Sequence, residues 1–179
     1  MRVSFLLATL FFALACSQVS TREANRLVSR YNEVVSEAYR KGDILLIDEV
    51  VGPGAPDGKR LLGLIGVRAD MGLTLDAHLE SLELTGIEQA KDSLQVRTRE
   101  QWRYRDLKVG TQVQVGEASV DRYEMIYFFK KHKGAWLVEE TRFATDPQVG
   151  RKQMPWSLET RDAHGTIAPM ANPSHGGKR

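Results

Sequence analysis

The sequence is poor in the residues from which most metal sites, redox centres and disulfide frameworks are built. Of its 179 residues one is cysteine and four are histidine. A lone cysteine cannot close an intrachain disulfide. His78, His132, His164 and His175 fall at no ligand spacing, so no metal site is expected. No cofactor motif is present either. The glycine-rich stretch "GPGAPDGKR" lacks the Walker spacing and has no Ser or Thr after its lysine, and Pro53 and Pro56 remove N–H donors that a phosphate would need. The formal charge is only +2. Its basic surplus sits in Arg2 and the C-terminal segment, which leaves the middle of the chain slightly acidic and without a nucleic-acid footprint. Long apolar runs are missing except over residues 3–15, which is too short to cross a bilayer as a helix. No internal repeat is visible.

That one apolar run, ending "TLFFALACSQ", has the length of a signal-peptide core, and Ala13 and Ala15 supply small residues for cleavage before Cys16. The single cysteine would then become the new N-terminus. The segment resembles a bacterial lipoprotein signal, which implies acylation of Cys16 and a membrane anchor; Ser17 rather than aspartate after the cysteine implies the outer membrane, facing the periplasm. Plain export to the periplasm or medium is the alternative. The expected organisation is a signal peptide over 1–15, a lipidated N-terminus and linker over 16–19, one domain over 20–146, and a disordered tail over 147–179. The tail holds four of the six prolines and no periodicity. Within it, Trp156 and Leu158 are the residues suited to docking.

Ser20 to Glu23 reads as a capping box opening a helix. Ala24, Leu27, Val28, Tyr31, Val34, Val35, Ala38 and Tyr39 form its apolar stripe, and Gly42 ends it. Asp43 is placed to cap a second short helix through Val51, and Asp57 a third carrying Leu61, Leu62, Ile65 and Ala69. From Leu75 the period changes to two. "HLESLELTGIEQA", with a bend at Gly86, "SLQVRTREQWRYR", "SVDRYEMIYFFKK" and "AWLVEETRF" read as antiparallel strands, with "DLKVGTQVQVGEAS" a long connection or an added hairpin.

Three N-terminal helices followed by long antiparallel strands, with "REQWRY", "YEMIYFF" and "GAWLVEE", resemble the nuclear transport factor 2-like domains, a group that includes SnoaL-like cyclases and ketosteroid isomerases. The resemblance implies an α+β cone in which a strongly curved antiparallel sheet wraps the helices around a pocket. It does not choose among enzyme, transport factor and assembly module.

Alternation along "LQVRTREQWRY" puts Leu94, Val96, Thr98, Glu100, Trp102 and Tyr104 on one face of a strand and Arg97, Arg99, Arg103 and Arg105 on the other. If the first face turns inward, Glu100 is a carboxylate among aromatics, an environment that raises a carboxylate's pKa and suits it to proton transfer. Trp102, Tyr104, Tyr123 and Tyr127 would then line the pocket. The bland alternative is that Glu100 meets an arginine or the open rim. The arginine stripe is a candidate anion-binding surface, or else a solvated face paired with carboxylates such as Asp121 or Glu139. Asp76 and His78 share a strand face at a spacing that can orient a histidine for acid–base work. The expected function is a non-catalytic envelope module binding an envelope protein or a small hydrophobic ligand. Its rivals are a purely structural interaction module and an isomerase or dehydratase using Glu100 or Asp76. A homodimer is compatible with the sequence, though not one held by apolar burial of the arginine face.

Overall fold

The structure, a computed structural model, describes residues 18–145. The signal segment, Cys16 and the tail with Trp156 and Leu158 lie outside the described residues.

Helix α1 (Thr21–Lys41) starts at the expected cap, where the Ser20 hydroxyl accepts from the Glu23 N–H at 3.2 Å. Only this half of the capping box forms. Arg26, one turn on, draws the Glu23 carboxylate into two charged hydrogen bonds of 2.9 and 2.6 Å, which a backbone N–H does not match. Gly42, at φ +67°, closes the helix in the left-handed conformation that glycine adopts without penalty. Ala24, Val28, Tyr31, Val34 and Ala38 are buried at helical spacing and face the sheet.

The second helix is a short 3-10 helix over Ile44–Glu49, with the Asp43 carboxylate accepting from the Leu45 N–H at 3.0 Å. It does not run on to Val51 as an α-helix, because the sheet claims that segment. Val51 forms a parallel bridge with Val138, flanked by 2.8 Å bonds from Val138 N–H to Val50 and from Gly52 N–H to Val138. Helix α2 (Pro56–Asp70) begins on Ala55 with proline in its first turn and no side-chain cap. Asp57, read from sequence as the cap, is instead fully buried and turned into the core.

Strands β1 (Leu73–Gln89), β2 (Ser93–Lys108), β3 (Gln114–His132) and β4 (Ala135–Phe143) form one antiparallel meander in the order β1-β2-β3-β4. Register shifts at Leu79/Ser81 and Leu84/Gly86 in β1, at Tyr104/Asp106 in β2 and at Phe128/Phe129 in β3 curl the sheet around the helices. The stretch left open between connection and hairpin is the turn of the β2–β3 hairpin, which lengthens both strands and pairs Leu107 with Gln114. Lys133 and Gly134, at φ 49° and 88°, make the two-residue turn into β4. Leu94, Val96, Thr98, Glu100 and Trp102 of β2 are buried, and Arg97, Arg99, Arg103 and Arg105 are exposed.

Candidate functional site

Three carboxylates lie inside the fold, Glu100, Asp57 and Asp121. Glu100 enters from β2 and is 2 % exposed. Its Oε1 accepts from the Tyr127 hydroxyl at 2.6 Å and the Thr98 hydroxyl at 2.7 Å, and its Oε2 accepts from the Trp102 indole N–H at 2.7 Å. Strand geometry explains the set: Thr98 and Trp102 flank Glu100 on the same face, and Tyr127 reaches across from β3. Burial, and then the Glu100 carboxylate, push the Tyr127 phenol well above its usual pKa, so it stays a donor.

The Tyr127 hydroxyl has a single proton, which it gives to Glu100, yet it also lies 3.1 Å from the Asn32 amide oxygen of α1. Asn32 Nδ2 is buried and has no partner among the described residues. Turning the amide by half a rotation makes Asn32 the donor to Tyr127 and satisfies both groups; amide orientation is assigned from just such networks.

Asp57 is the second carboxylate. It accepts from the Tyr31 hydroxyl of α1, from Arg60 Nε and Nη2 at 3.1 and 2.8 Å, and from the Thr141 hydroxyl of β4 at 2.9 Å. Burial, together with the Asp57 charge, raises the Tyr31 phenol well above its usual range. Burial opposes the charge on Arg60, but Asp57 more than offsets it and the guanidinium stays charged. The Tyr31 and Tyr127 rings meet edge to face, so the two clusters touch and together tie α1, α2, β2, β3 and β4.

Chemically, this arrangement holds elements together. A general base must come within hydrogen-bond reach of a substrate proton. Glu100 is sealed from solvent, and three side-chain donors already hold its oxygens.

The other residues singled out from sequence separate. Trp102 stacks on Tyr104 at 5.9 Å between centroids, Tyr104 meets Tyr123 at 6.4 Å, and Tyr123 meets Phe143 at 5.4 Å, an aromatic ladder across three strands. Tyr127 belongs to the core beside Phe129. Asp121 is fully buried and accepts from the Tyr123 hydroxyl at 2.8 Å, and Glu139 pairs with His132 at 2.5 Å, so both have partners outside the arginine stripe. The partners of the stripe come chiefly from β1: Glu88 for Arg97, Glu83 for Arg99, Glu80 for Arg103 and Asp76 for Arg105, with Glu124 of β3 also on Arg99. Asp76 is thus engaged by Arg105, and His78 is exposed opposite Arg103.

Sequence reasoning missed Asp57, Tyr31, Asn32 and Arg60. The available signal was a phenol in the middle of an apolar helical stripe, followed at once by an amide. A groove of about 280 Å³ lies elsewhere, between α1 and the 3-10 helix, with Val34 and Leu46 among Arg30, Glu33, Glu37 and Glu49. Among the described residues no group of three His, Cys, Asp or Glu is arranged to hold a metal, and no helix is long and apolar enough to cross a membrane.

Element order and the curled four-stranded sheet define an α+β domain in which the helices pack against one face of a single antiparallel meander. No family model and no curated protein matches the sequence. Among solved structures, the chain is similar to the intermembrane space region of the chloroplast protein ARC6, with a TM-score of 0.61 and 18% identity over 70% of this chain and 97% of that one. Looser matches are a conserved protein from Planctomyces limnophilus (TM-score 0.48, 13% identity, 67% of this chain and 94% of that one) and an NTF2-type designed variant (0.36, 19%, 68% and 99%). At such identities the ARC6 likeness concerns the fold alone, and the looser two add nothing to it.

Proposed function

We propose that this chain is a cell-envelope lipoprotein, anchored to the outer membrane through Cys16, whose domain binds a partner protein and does not turn over a substrate. One observation carries the non-catalytic part. Glu100, the residue an isomerase or dehydratase would use, is 2 % exposed and already holds three side-chain hydrogen bonds. The Asp76 alternative is weakened in the same way by its pairing with Arg105. The anchor rests on the sequence around Cys16.

The test is the intact mass of the protein recovered from a membrane fraction, measured beside Cys16→Ser. The expected mass is that of the chain from Cys16 plus a diacylglyceryl group, absent from the variant. An unmodified chain beginning at Cys16 overturns the anchored reading and leaves an exported protein with a free thiol. For the domain, Glu100→Gln should leave cross-linking to envelope proteins intact in cells. An activity that disappears with this substitution, in a protein that still folds, would sink the non-catalytic reading.

A further inference from the structure

One end of the sheet gathers lysines. The β1–β2 turn brings Lys91, and the β3–β4 hairpin brings Lys130, Lys131 and Lys133, all four exposed. Strand pairing sets the two turns side by side: Ser93 lies opposite Lys130, and the Lys131 N–H donates to the Asp92 carbonyl at 3.0 Å. Lys131 holds its ammonium over the Trp136 ring, 5.0 Å from the centroid. Asp92 is the sole acid in residues 90–93 and 130–135. Glu88 and Glu139, close by in sequence, are engaged by Arg97 and His132. Among the described residues none of the four lysines forms an ion pair.

The same end receives the start of α1. The Val19 N–H donates to the side-chain oxygen of Gln89, the last residue of β1, at 2.5 Å. Arg22, in the first turn of α1, is exposed there. α1 then runs away from this end, and Gly42, past its last residue, lies against Thr74 near the start of β1. Cys16 precedes Val19 by only three residues of sequence, a length of chain that reaches at most about 11 Å. An anchor on Cys16 therefore attaches at the lysine-bearing end.

We propose that this end rests on an anionic phospholipid surface, with Lys91, Lys130, Lys131 and Lys133 toward the headgroup phosphates. Resting on the anchored reading of Cys16, the contact adds an orientation to it: the lipid holds the chain at the bilayer, and the lysines select the end that meets it. Attraction of lysines to an anionic surface fades over about 10 Å at 0.1 M salt, which so short a tether does not exceed by much. That tether favours a bilayer over an acidic protein as the occupant. The β2–β3 turn, with Val109 and Val113 exposed, then points away from the membrane.

Vesicle binding by the mature chain carrying Cys16→Ser tests this without the anchor. Affinity for equimolar phosphatidylcholine and phosphatidylglycerol should exceed that for phosphatidylcholine alone at least about tenfold in low salt, and the preference should collapse in high salt. Lys91→Gln, Lys130→Gln and Lys133→Gln combined should remove most of the preference. Arg99→Gln, Arg103→Gln and Arg105→Gln, the same loss of charge on the arginine face, should keep it. On anionic vesicles, acetylation should be slowed at Lys91, Lys130 and Lys133 but not at Lys108, at the other end of β2. Equal affinity for both vesicles, or a preference that survives the lysine variant or is lost as fully in the arginine variant, overturns the proposal. An acyl group on Cys16 without any vesicle preference sinks this contact alone. A lysine-dependent preference in a protein whose Cys16 is unmodified in cells supports the contact and sinks the anchor alone.

Discussion

Tyr31 and Tyr127 touch edge to face, with ring centroids 5.5 Å apart and planes at 77°, while their hydroxyls turn away to different carboxylates, Asp57 and Glu100. One aromatic contact thus joins the helix-side acid cluster to the sheet-side one. The edge of one ring on the face of the other suits the aromatic quadrupole, and each hydroxyl serves a different carboxylate.

The two phenols make stability depend on alkaline pH. Both are raised above the ordinary tyrosine value of 10.0, so above that pH the unfolded chain loses protons that the folded chain keeps. Stability is then fully present below about pH 10 and falls as pH rises beyond it. Urea midpoints measured from pH 8 to 11.5 should decline above pH 10, and Tyr127→Phe should flatten the decline by about one proton's worth of slope. A flat profile would contradict the burial of these phenols.

Asp57 holds a guanidinium, a phenol and a hydroxyl together at the junction of α1, α2 and β4. Asp57→Ala leaves Arg60 unpaired and the Tyr31 hydroxyl without an acceptor, and should cost about 3 kcal/mol, the lower end for a broken buried pair because Arg60 is a third exposed. A loss below about 1 kcal/mol in chemical denaturation would mean that the cluster contributes little.

Glu100 and Trp102 should couple. In Glu100→Gln the amide oxygen can keep Tyr127 and Thr98, which turns the amide NH2 toward the indole N–H, donor against donor, at a cost of about 2 kcal/mol. Trp102→Phe removes the opposing donor. The double variant should therefore lose about 1 kcal/mol less than the two single losses added, and strict additivity would refute this geometry.

The arginine stripe should be almost silent in stability. Arg99 pairs with Glu83 at 3.1 Å and Glu124 at 3.5 Å, yet its side chain is 59% exposed. Arg99→Ala should shift stability by less than about 0.5 kcal/mol, and by less still in high salt. A larger loss would show that the stripe acts as a linked network.

How much of this was legible in the chain depended on range. α1 could be read almost to the residue, because its cap, its stripe and Gly42 are local features of consecutive residues. The facing of β2 was equally plain, since alternation over so long a run leaves only two choices. Which acids meet the arginines was not legible: alternation places a residue on a face but does not set register against the next strand, and the partners proved to lie chiefly on β1. Asp57 was misread for a related reason. A short acid beside a helix start has the local signature of a cap, and only Thr141, eighty-four residues later, together with Tyr31, draws it inward. The end of the 3-10 helix was likewise decided by Val138, far along the chain.

These long reaches bear on the order in which the molecule is made. Val51 waits for Val138, and Asp57 and Arg60 for Thr141, so the first half of the domain emerges from synthesis with its sheet partner and a buried charge cluster incomplete. Non-local closures of this kind slow folding, because loop entropy is lost before any contact offsets it. The domain should therefore commit to its native state only once β4 is available, remaining pliant enough until then to be threaded through a narrow channel as an open chain.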